Sequence, residues 1–403
     1  MGDIVLTGMG VVSTAGHSLE IFWDNLLRGH VTYKPLEEFA NNSNYRYCVG
    51  SKIEDMSWRD RVEKEYLNTY GRVSSYAISA ASSAILDAGL TTEDIKSARI
   101  AVCVGTTMGE INAEERITEL KYSKDFVDID RVLLDSYNTE NIGNAVRKAL
   151  GLCGPVYVVP TACAAGNYAF ALGKRLIEWE YADIAIVGGV DTFSRVAFTG
   201  FQRLLSLSPD LCRPFDKNRK GLIVGEGCGI VVLEKESTAT ARKARILGRL
   251  LGVGLTSDRY HMTAPHPEGD GAIRAMKRAL EEAGLLSSDI DYVSAHGTGT
   301  SVNDRIEVKA MEQVFGTNSI PAVSSIKSML GHAMGAASAL ELIASIQMMH
   351  NDKILPTVNH VETDSELLID CVPNVARDAS IEFVMSNSFA FGGQVSSIVV
   401  KKG

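Results

Sequence analysis

Short apolar runs alternate with segments of helical pattern along this chain. Residues 100–104 and 292–294 are two such runs, and each follows a segment with the helical ending Ala-Gly-Leu. Continuous runs of β-branched residues separated by helices are typical of parallel strands that are buried on both faces. The pattern therefore predicts an α/β protein built from strand-helix-strand units.

The same order of elements occurs twice in the chain. One helix is predicted to end at Gly89 and another at Gly284, the position after a helix where glycine is favoured. Identical residues recur around both glycines at one constant spacing: Ala88/Ala283, Gly89/Gly284, Leu90/Leu285, Asp94/Asp289 and Ile95/Ile290. Further on, residues 156–159 and 322–326 each lead into another helix, to about Trp179 and about His350. We predict two similar halves, 1–240 and 241–403, face to face in one body.

Cys163 lies where a predicted strand turns into a helix, within the small-residue segment 161–166. This is the arrangement of a nucleophile elbow, in which the side chain leaves the sheet and helix N–H groups point at it. A helix N-terminus contributes about 1 kcal/mol, which lowers a thiol pKa by nearly one unit. The alternative, a small core cysteine, is our interpretation of the other six: Cys48, Cys103, Cys153, Cys212, Cys228 and Cys371.

Two histidines of the second half lie at predicted strand ends, where ligands gather in α/β sheets. His296 begins the sequence His-Gly-Thr-Gly-Thr, which lacks the third glycine of a dinucleotide-binding fingerprint. His332 follows Lys327 at a strand-to-helix turn. A buried lysine requires a carboxylate partner, and Glu341 in the following helix is the candidate. For His296 alone, a structural histidine in a turn remains an alternative.

Phe389 and Phe391 lie on a Gly-rich turn between the apolar runs 383–385 and 396–400. Two interpretations remain open from these residues: a mobile apolar gate, or a hairpin turn with core phenylalanines.

Composition and charge narrow the function classes. The chain has 403 residues and a net charge of −9, which disfavours binding to a phosphate backbone. No apolar run approaches the roughly 20 residues that span a bilayer, and the first residues lack the pattern of a secretory signal. The seven cysteines form no CxxC pair, which is typical of reduced cytosolic thiols. We predict a cytoplasmic protein that binds neither nucleic acid nor membranes.

Metal binding is not supported by the remaining histidines. His261 and His266, and likewise His350 and His360, have no other ligand at a suitable spacing. We expect His261 in a loop contact and His350 and His360 at the surface.

Taken in order, these segments resemble the β-ketoacyl-acyl-carrier-protein synthase II family of the thiolase fold. The resemblance extends along nearly the whole chain and includes five further segments: 8–13 (GMGVVS), 188–189 (GG), 213–217 (RPFDK), 225–229 (GEGCG) and 258–263 (DRYHMT). It implies duplicated α/β halves stacked in the layers α-β-α-β-α.

The resemblance also implies an acyltransferase with a Cys-His-His site. Cys163 takes an acyl group from a carrier-protein thioester, and His296 and His332 hydrogen-bond the thioester carbonyl of malonyl-carrier protein as it loses CO₂. The resulting enolate attacks the acyl group, extending a fatty-acid or polyketide chain. The oxyanion of this step is implied to rest on the N–H groups of Cys163 and Phe391.

Further roles follow from the same resemblance. Lys327, paired with Glu341, sets the electrostatics of His332. The implied substrate-binding residues are Thr298 and Thr300, which hold the phosphopantetheine arm, with Phe201, His261, Thr263 and Phe389. No metal, nucleotide or other cofactor is implied, because the substrates are carried on the phosphopantetheine of an acyl carrier protein. The implied partners are that carrier and a second subunit, in a homodimer or in a heterodimer with another ketosynthase-like chain.

Several positions depart from the family pattern. Ala390 replaces the usual glycine between the two gate phenylalanines, and Gln394-Val395 replaces the usual Thr-Asn. In the region of the family's basic docking surface, Arg59, Arg61 and Lys64 alternate with acidic residues, and the presumed acyl-pocket stretch 109–115 is unusually acidic. The departures leave the chemistry in place. They favour a specialised polyketide or secondary-metabolism synthase, while chain length, carrier and pathway stay open.

Two rival functions differ from this one in the cysteines that they require. A non-decarboxylating thiolase has a second catalytic cysteine near its C-terminus, but Cys371 lies outside the Gly-rich C-terminal loop. A non-catalytic, chain-length-determining subunit of a heterodimeric synthase typically lacks the active-site cysteine, which is present here. The apolar run 156–159 suits a sheet edge, and exposed edges of this kind invite pairing. We therefore predict a dimer, with the stretch 110–115 near the partner's pocket.

Overall fold

The computed structural model describes residues 2–40, 42–123 and 131–403. Its strands are β1 (Ile4–Ser13), β2 (Lys34–Pro35), β3 (Val49–Gly50), β4 (Ile100–Gly105), β5 (Val156–Val159), β6 (Ile184–Asp191), β7 (Gly227–Lys235), β8 (Gly248–Ser257), β9 (Tyr292–Ser294), β10 (Ala322–Ser324), β11 (Lys353–Ile354), β12 (Arg377–Asp378), β13 (Phe383–Phe389) and β14 (Gln394–Lys402). Its helices are α1 (Leu19–Leu27), α2 (Glu37–Ala40), α3 (Lys64–Thr69), α4 (Arg72–Asp87), α5 (Thr92–Ser97), α6 (Ile111–Tyr122), α7 (Arg131–Ser136), α8 (Asn141–Ala149), α9 (Ala165–Glu178), α10 (Arg195–Arg203), α11 (Glu236–Ala241), α12 (Asp270–Ala283), α13 (Ser301–Phe315), α14 (Lys327–Leu330) and α15 (Ala337–Asn351).

The strand order shows that the fold is duplicated. In the described part of the chain, ten strands form one sheet in the order β10-β9-β13-β14-β8-β1-β7-β6-β4-β5. Each half contributes five neighbouring strands, and in both halves the first strand is innermost and the third lies at the outer edge. The pairing directions also match, because β4 is parallel to β5 and β6 just as β9 is parallel to β10 and β13. The sheets of the two halves join where Val5 and Leu6 of β1 pair with β8.

Helices α9 and α15 form the central layer of the molecule. They pack on each other and on strands of both halves, while α4 covers β1 and β7 from one side and α12 covers β8 and β14 from the other. The predicted α/β class and its α-β-α-β-α layering are therefore confirmed. The predicted division at residue 240 falls within α11, between the last large strand of the first half and the first strand of the second. As domain bounds, 1–240 and 241–403 stay a prediction.

Two glycines allow close packing around the start of α15. A Cβ atom on Gly166 would lie 2.5 Å from Ser338 Oγ, and one on Gly189 would lie 2.1 Å from the carbonyl oxygen of Gly335. Gly166 therefore lets the start of α9 approach the start of α15, and Gly189, on β6, lets that strand approach the turn before α15.

The predicted edge strand and helix ends are confirmed. β5 lies at the outer edge of the sheet, with the side chain of Tyr157 exposed. Helices α4 and α12 end just before Gly89 and Gly284, whose φ angles are +64° and +68°. Among the described helices, none combines the length and apolar character needed to cross a bilayer.

Candidate active site

Cys163 lies in a 3-10 turn, Ala162–Ala164, between β5 and α9. The preceding residue, Ala162, has a φ of +49°, a conformation that costs energy for any residue with a side chain. The carbonyl of Cys163 accepts a hydrogen bond of 2.9 Å from Ser388 Oγ, at the end of β13 in the other half. The sharp turn predicted from the sequence is thus present, and its position is fixed from both halves.

One cavity of about 320 Å³ brings most of the predicted site residues together. Its lining includes Cys163, Phe201, His261, Thr263, His296, Thr298, Thr300, His332, Phe389 and Phe391. Lys327 and Glu341 are buried behind this lining. A nucleophile, imidazoles, hydroxyls and apolar rings therefore share one space.

The two histidines face each other and their backbones are held firmly. Their ring centroids are 5.4 Å apart with the rings nearly perpendicular. The N–H groups of His296 and Gly297 donate to the two carboxylate oxygens of Glu307 at 2.7 and 2.8 Å, and the His332 N–H donates to the Ile223 carbonyl at 2.6 Å. Glu307 was not predicted from the sequence, although its place on α13, directly after the His296 loop, is the signal that points to it.

Lys327 adds to the effect of burial on the charge state of both histidines. Its ammonium group donates to the His296 carbonyl at 2.6 Å and to the carboxylate of Glu341. Burial, reinforced by the Lys327 charge, holds the pKa of His296 and of His332 well below 6.5. Both imidazoles are therefore neutral at pH 7, so each carries one N–H donor and one acceptor nitrogen.

The thiol of Cys163 is less acidic than the sequence suggested. Burial raises the pKa of the Cys163 thiol to about 12, with the charge of Lys327 lowering it and that of Asp191 raising it. We expected a helix N-terminus to lower this pKa, but that effect amounts to about one unit and burial outweighs it. Burial therefore favours the thiol form of Cys163 in the resting protein.

The threonine loop forms one wall of the cavity. The hydroxyls of Thr298 and Thr300 are 3.0 Å apart, and the Gly299 carbonyl between them accepts a hydrogen bond from Gly221 N–H at 3.0 Å. On the opposite rim, the Nδ1 atom of the exposed His261 accepts from the N–H of Thr263 at 3.1 Å. His261 is thus in a loop contact, as predicted.

His360 does not lie at the surface, which corrects the sequence-based expectation. Its side chain is only 8% exposed, and its Nδ1 atom lies 3.7 Å from a carboxylate oxygen of Asp216 and 3.7 Å from the sulfur of Cys371. Within the described residues, no three histidine, cysteine, aspartate or glutamate side chains are grouped to hold a metal ion.

The two phenylalanines of the C-terminal turn differ in environment. Phe389 is buried with its ring 5.6 Å from that of His296, whereas Phe391 is 38% exposed and lies 5.8 Å from Phe201. The burial of Phe389 agrees with the interpretation as a core phenylalanine, and a mobile gate at the exposed Phe391 stays a prediction. Ala390 has an ordinary extended backbone (φ −130°, ψ 151°), so this conformation does not require glycine.

Two acids of the stretch 109–115 bind helix N-termini, and the expected place of this stretch near a partner's pocket stays a prediction. Glu110 is buried and accepts from the N–H groups of Val73 and Ser74 at the start of α4. Glu115 accepts from the Val196 N–H at the start of α10. Both carboxylates stabilise helix N-termini, where negative charge is favoured.

Removing the Lys327 charge is expected to shift the acid limb of activity. The decarboxylation that the resemblance implies needs neutral imidazoles. The lowered pKa values of His296 and His332 keep both rings neutral in mild acid. In the double variant Lys327→Met, Glu341→Gln, the pKa values rise toward 6.5, so activity is lost at a higher pH than in wild type. The paired change avoids an unpaired buried carboxylate. Decarboxylation rates across acidic to neutral pH test this, and an unmoved acid limb contradicts it.

A duplicated five-stranded scaffold that presents an elbow cysteine to two buried histidines defines a condensing enzyme of the thiolase fold. Two family models match the chain: "Beta-ketoacyl synthase, N-terminal domain" over residues 1–239 and "Beta-ketoacyl synthase, C-terminal domain" over 247–361. The chain belongs to the β-ketoacyl synthase family.

Individual relatives agree with this assignment. The chain is 35% identical to 3-oxoacyl-[acyl-carrier-protein] synthase 2 of Staphylococcus aureus, over 99% of this chain and 98% of that one. A solved structure of the ishigamide ketosynthase/chain length factor is 38% identical, with a TM-score of 0.95 over 100% of this chain and 99% of that one. A type II polyketide ketosynthase, solved with its acyl-carrier protein and a bound hexaketide, is 28% identical, with a TM-score of 0.92 and complete coverage of both chains.

Proposed function

We propose that this protein catalyses the decarboxylative condensation of an acyl group with malonyl-carrier protein, extending a fatty-acid or polyketide chain. The observation that carries the proposal is the single cavity lined by Cys163, His296 and His332, with Lys327 buried behind them. Its relatives in fatty-acid and polyketide synthesis support the same reaction class. The substrates would arrive on the phosphopantetheine of an acyl carrier protein, and the chain's own residues would supply the chemistry.

In the first step, the sulfur of Cys163 attacks the carbonyl carbon of the acyl thioester. The thiol proton moves to a neutral imidazole, the new C–S bond forms, and the bond to the pantetheine sulfur breaks. The departing thiolate then takes up the proton. The carrier leaves with a free thiol, and the acyl group remains on Cys163.

In the second step, malonyl-carrier protein enters the same cavity. The bond between its carboxylate and α-carbon breaks, CO₂ leaves, and the electron pair forms an enolate on the thioester. N–H groups of neutral His296 and His332 stabilise the enolate oxygen. The α-carbon then bonds to the acyl carbon, the C–S bond to Cys163 breaks, and the sulfur takes up a proton.

The remaining lining residues have binding roles in this proposal. Thr298 and Thr300 hold the pantetheine arm, while Phe201, His261, Thr263 and Phe389 line the path of the substrate. Cys163 and Phe391 belong to the 3-10 turns Ala162–Ala164 and Phe391–Gly393, which contact each other. The N–H groups at the start of such a turn have no acceptor inside the turn. The N–H groups of Cys163 and Phe391 can therefore both donate to an oxyanion.

Mass spectrometry after incubation with an acyl-carrier protein tests the proposal. We expect an acyl adduct on Cys163, and, after addition of malonyl-carrier protein, CO₂ release and a β-ketoacyl product. A chain-length-determining subunit without catalysis would take no adduct, so a chain without adduct or product contradicts the proposal. All seven cysteines are free thiols, which supports the cytoplasmic location we also propose.

We expect a dimer formed along the exposed edge of β5, either of two identical chains or with a second ketosynthase-like subunit. Static light scattering at micromolar concentration should give about twice the chain mass of 43.5 kDa. Tyr157→Lys places a charge on the exposed face of this edge and should favour the monomer. A stable, fully active wild-type monomer, measured alone and with any co-encoded synthase-like subunit, would refute this expectation.

A further inference from the structure

A buried carboxylate that the proposed mechanism does not use is hydrogen-bonded to a turn that contacts the cysteine elbow. Asp191 ends β6 and is fully buried. Its Oδ1 atom accepts from Thr106 Oγ1 at 2.7 Å and from Met108 N–H at 3.0 Å. Its Oδ2 atom accepts from Thr107 N–H at 2.8 Å and from Gly335 N–H at 2.7 Å. One side chain thus joins the loop after β4 to a turn in the other half.

That turn is the counterpart of the cysteine elbow. Met334–Ala336 is a 3-10 turn that leads into α15, just as Ala162–Ala164 leads into α9. Met334 has a φ of +50°, close to the +49° of Ala162, so Gly335 occupies the position that corresponds to Cys163. A Cβ atom on Gly335 would lie 2.8 Å from both Asp191 Oδ2 and Thr107 N. The two elbows contact each other, and Asp191 holds the second one in place.

His332 lies three residues before Gly335 and is held from both sides. The His332 backbone is itself bound to the first half: its N–H donates to the Ile223 carbonyl, and its carbonyl accepts from Gly225 N–H at 2.9 Å. Further along this segment, the Gly335 N–H makes another hydrogen bond to the first half, to Asp191. The distance between His332 and the cysteine elbow therefore depends on this carboxylate.

The hydrogen bonds also define the charge of Asp191. Thr106 Oγ1 accepts from Gly109 N–H at 3.0 Å, so its own hydrogen is directed to Asp191. Burial raises the pKa of Asp191 and its hydrogen bonds lower it; because both carboxylate oxygens face donors only, the ionised form is the one that fits these partners. This negative charge is one of the causes that raise the pKa of the Cys163 thiol.

We propose that Asp191 is a positioning residue of the condensing site, which clamps the Gly335 turn to the loop after β4 and thereby sets His332 against Cys163. The inference rests on the proposed function for its condensation readout. Its second readout, alkylation of Cys163, is independent of that function. The two readouts are expected to move in opposite directions when Asp191 is neutralised. Unfolding would also expose the buried thiol and speed its labelling, so the comparison applies only to variants that thermal unfolding shows to be folded.

The test compares three variants for condensation and for iodoacetamide labelling of the Cys163 peptide at a series of pH values. Asp191→Asn should lower condensation at least about tenfold while labelling of Cys163 becomes several-fold faster at a given pH, since one pKa unit is tenfold in thiolate. Gly335→Ala disturbs the clamp and keeps the charge, so condensation should fall with an unchanged labelling profile. Glu234→Gln neutralises a buried carboxylate on β7, which is bound by Thr7 and Arg242, and should leave both readouts near wild type.

Thermal unfolding establishes that each variant is folded. If Asp191→Asn does not fold, the condensation rate of Gly335→Ala still tests whether the contact between Asp191 and the Gly335 turn is needed for condensation. Condensation within about threefold of wild type in these variants, or a loss in Asp191→Asn without faster Cys163 labelling, overturns the proposal. If wild type itself does not condense, the proposed function fails, while the labelling comparison still measures the effect of Asp191 on Cys163.

Discussion

The Cys163→Ala variant is expected to lose acyl transfer and condensation by about 10⁴-fold or more, as removal of a covalent nucleophile does in other enzymes. Cys163 is the one thiol in the described lining of the cavity, and we expect no hydroxyl or imidazole there to replace it as the acyl acceptor. The fold should persist, because alanine is small, suits a helix start and already occupies both neighbouring positions. Acyl transfer from a labelled acyl-carrier protein, followed by intact-mass analysis, measures the loss.

Cys371→Ala is the matched control for this prediction. Its thiol is also buried, and it is the second cysteine that a non-decarboxylating thiolase mechanism would call on, but it contacts His360 and is not part of the cavity lining. We expect near wild-type acylation and condensation in Cys371→Ala. Persistent condensation in Cys163→Ala, or its loss in Cys371→Ala, would overturn the nucleophile assignment.

The turns at the strand ends of this fold could be predicted because each one is encoded by residues that are neighbours in the sequence. The elbow at Cys163 follows from an apolar strand, small residues and a helix in succession, and the structure has this order. The repeated helix endings at Gly89 and Gly284 predicted the duplication, and the strand orders of the two halves agree with it. Predictions of this kind, which depend only on residues close together in the sequence, agree with the structure.

Contacts between the halves were not predictable in the same way. Asp191 and Gly335 are separated by most of the second half, and nothing near either residue in the sequence indicates that they meet. The same holds for Glu110, whose carboxylate caps a helix that begins far upstream at Arg72. From the sequence, Glu110 belonged to an acidic stretch of a presumed pocket and Asp191 carried no prediction, whereas tertiary packing makes both acceptors for buried N–H groups.

The acidity of Cys163 illustrates the same limit in energetic terms. A helix N-terminus is visible in the sequence, so its favourable effect on a thiolate was expected. The depth of the thiol and the neighbouring Asp191 are products of the assembled fold, and they act in the opposite direction. In the proposed mechanism the thiol therefore gives its proton to an imidazole of the cavity, so activity is expected to depend on the protonation state of the histidines.

His296→Ala and His332→Ala are each expected to lower CO₂ release from malonyl-carrier protein by about 10²–10³-fold, the usual cost of losing one oxyanion donor. Cys163 should still accept an acyl group, because the remaining imidazole can take the thiol proton. His332→Gln keeps a neutral N–H donor and should recover part of the lost rate. His350→Ala, at the end of α15 and bonded to the Leu247 carbonyl, is the control and should behave like wild type. Acyl adducts measured by mass spectrometry, together with CO₂ release, separate the two steps. Release within about threefold of wild type in the alanine variants would count against the donor role and leave decarboxylation without an identified stabilising group.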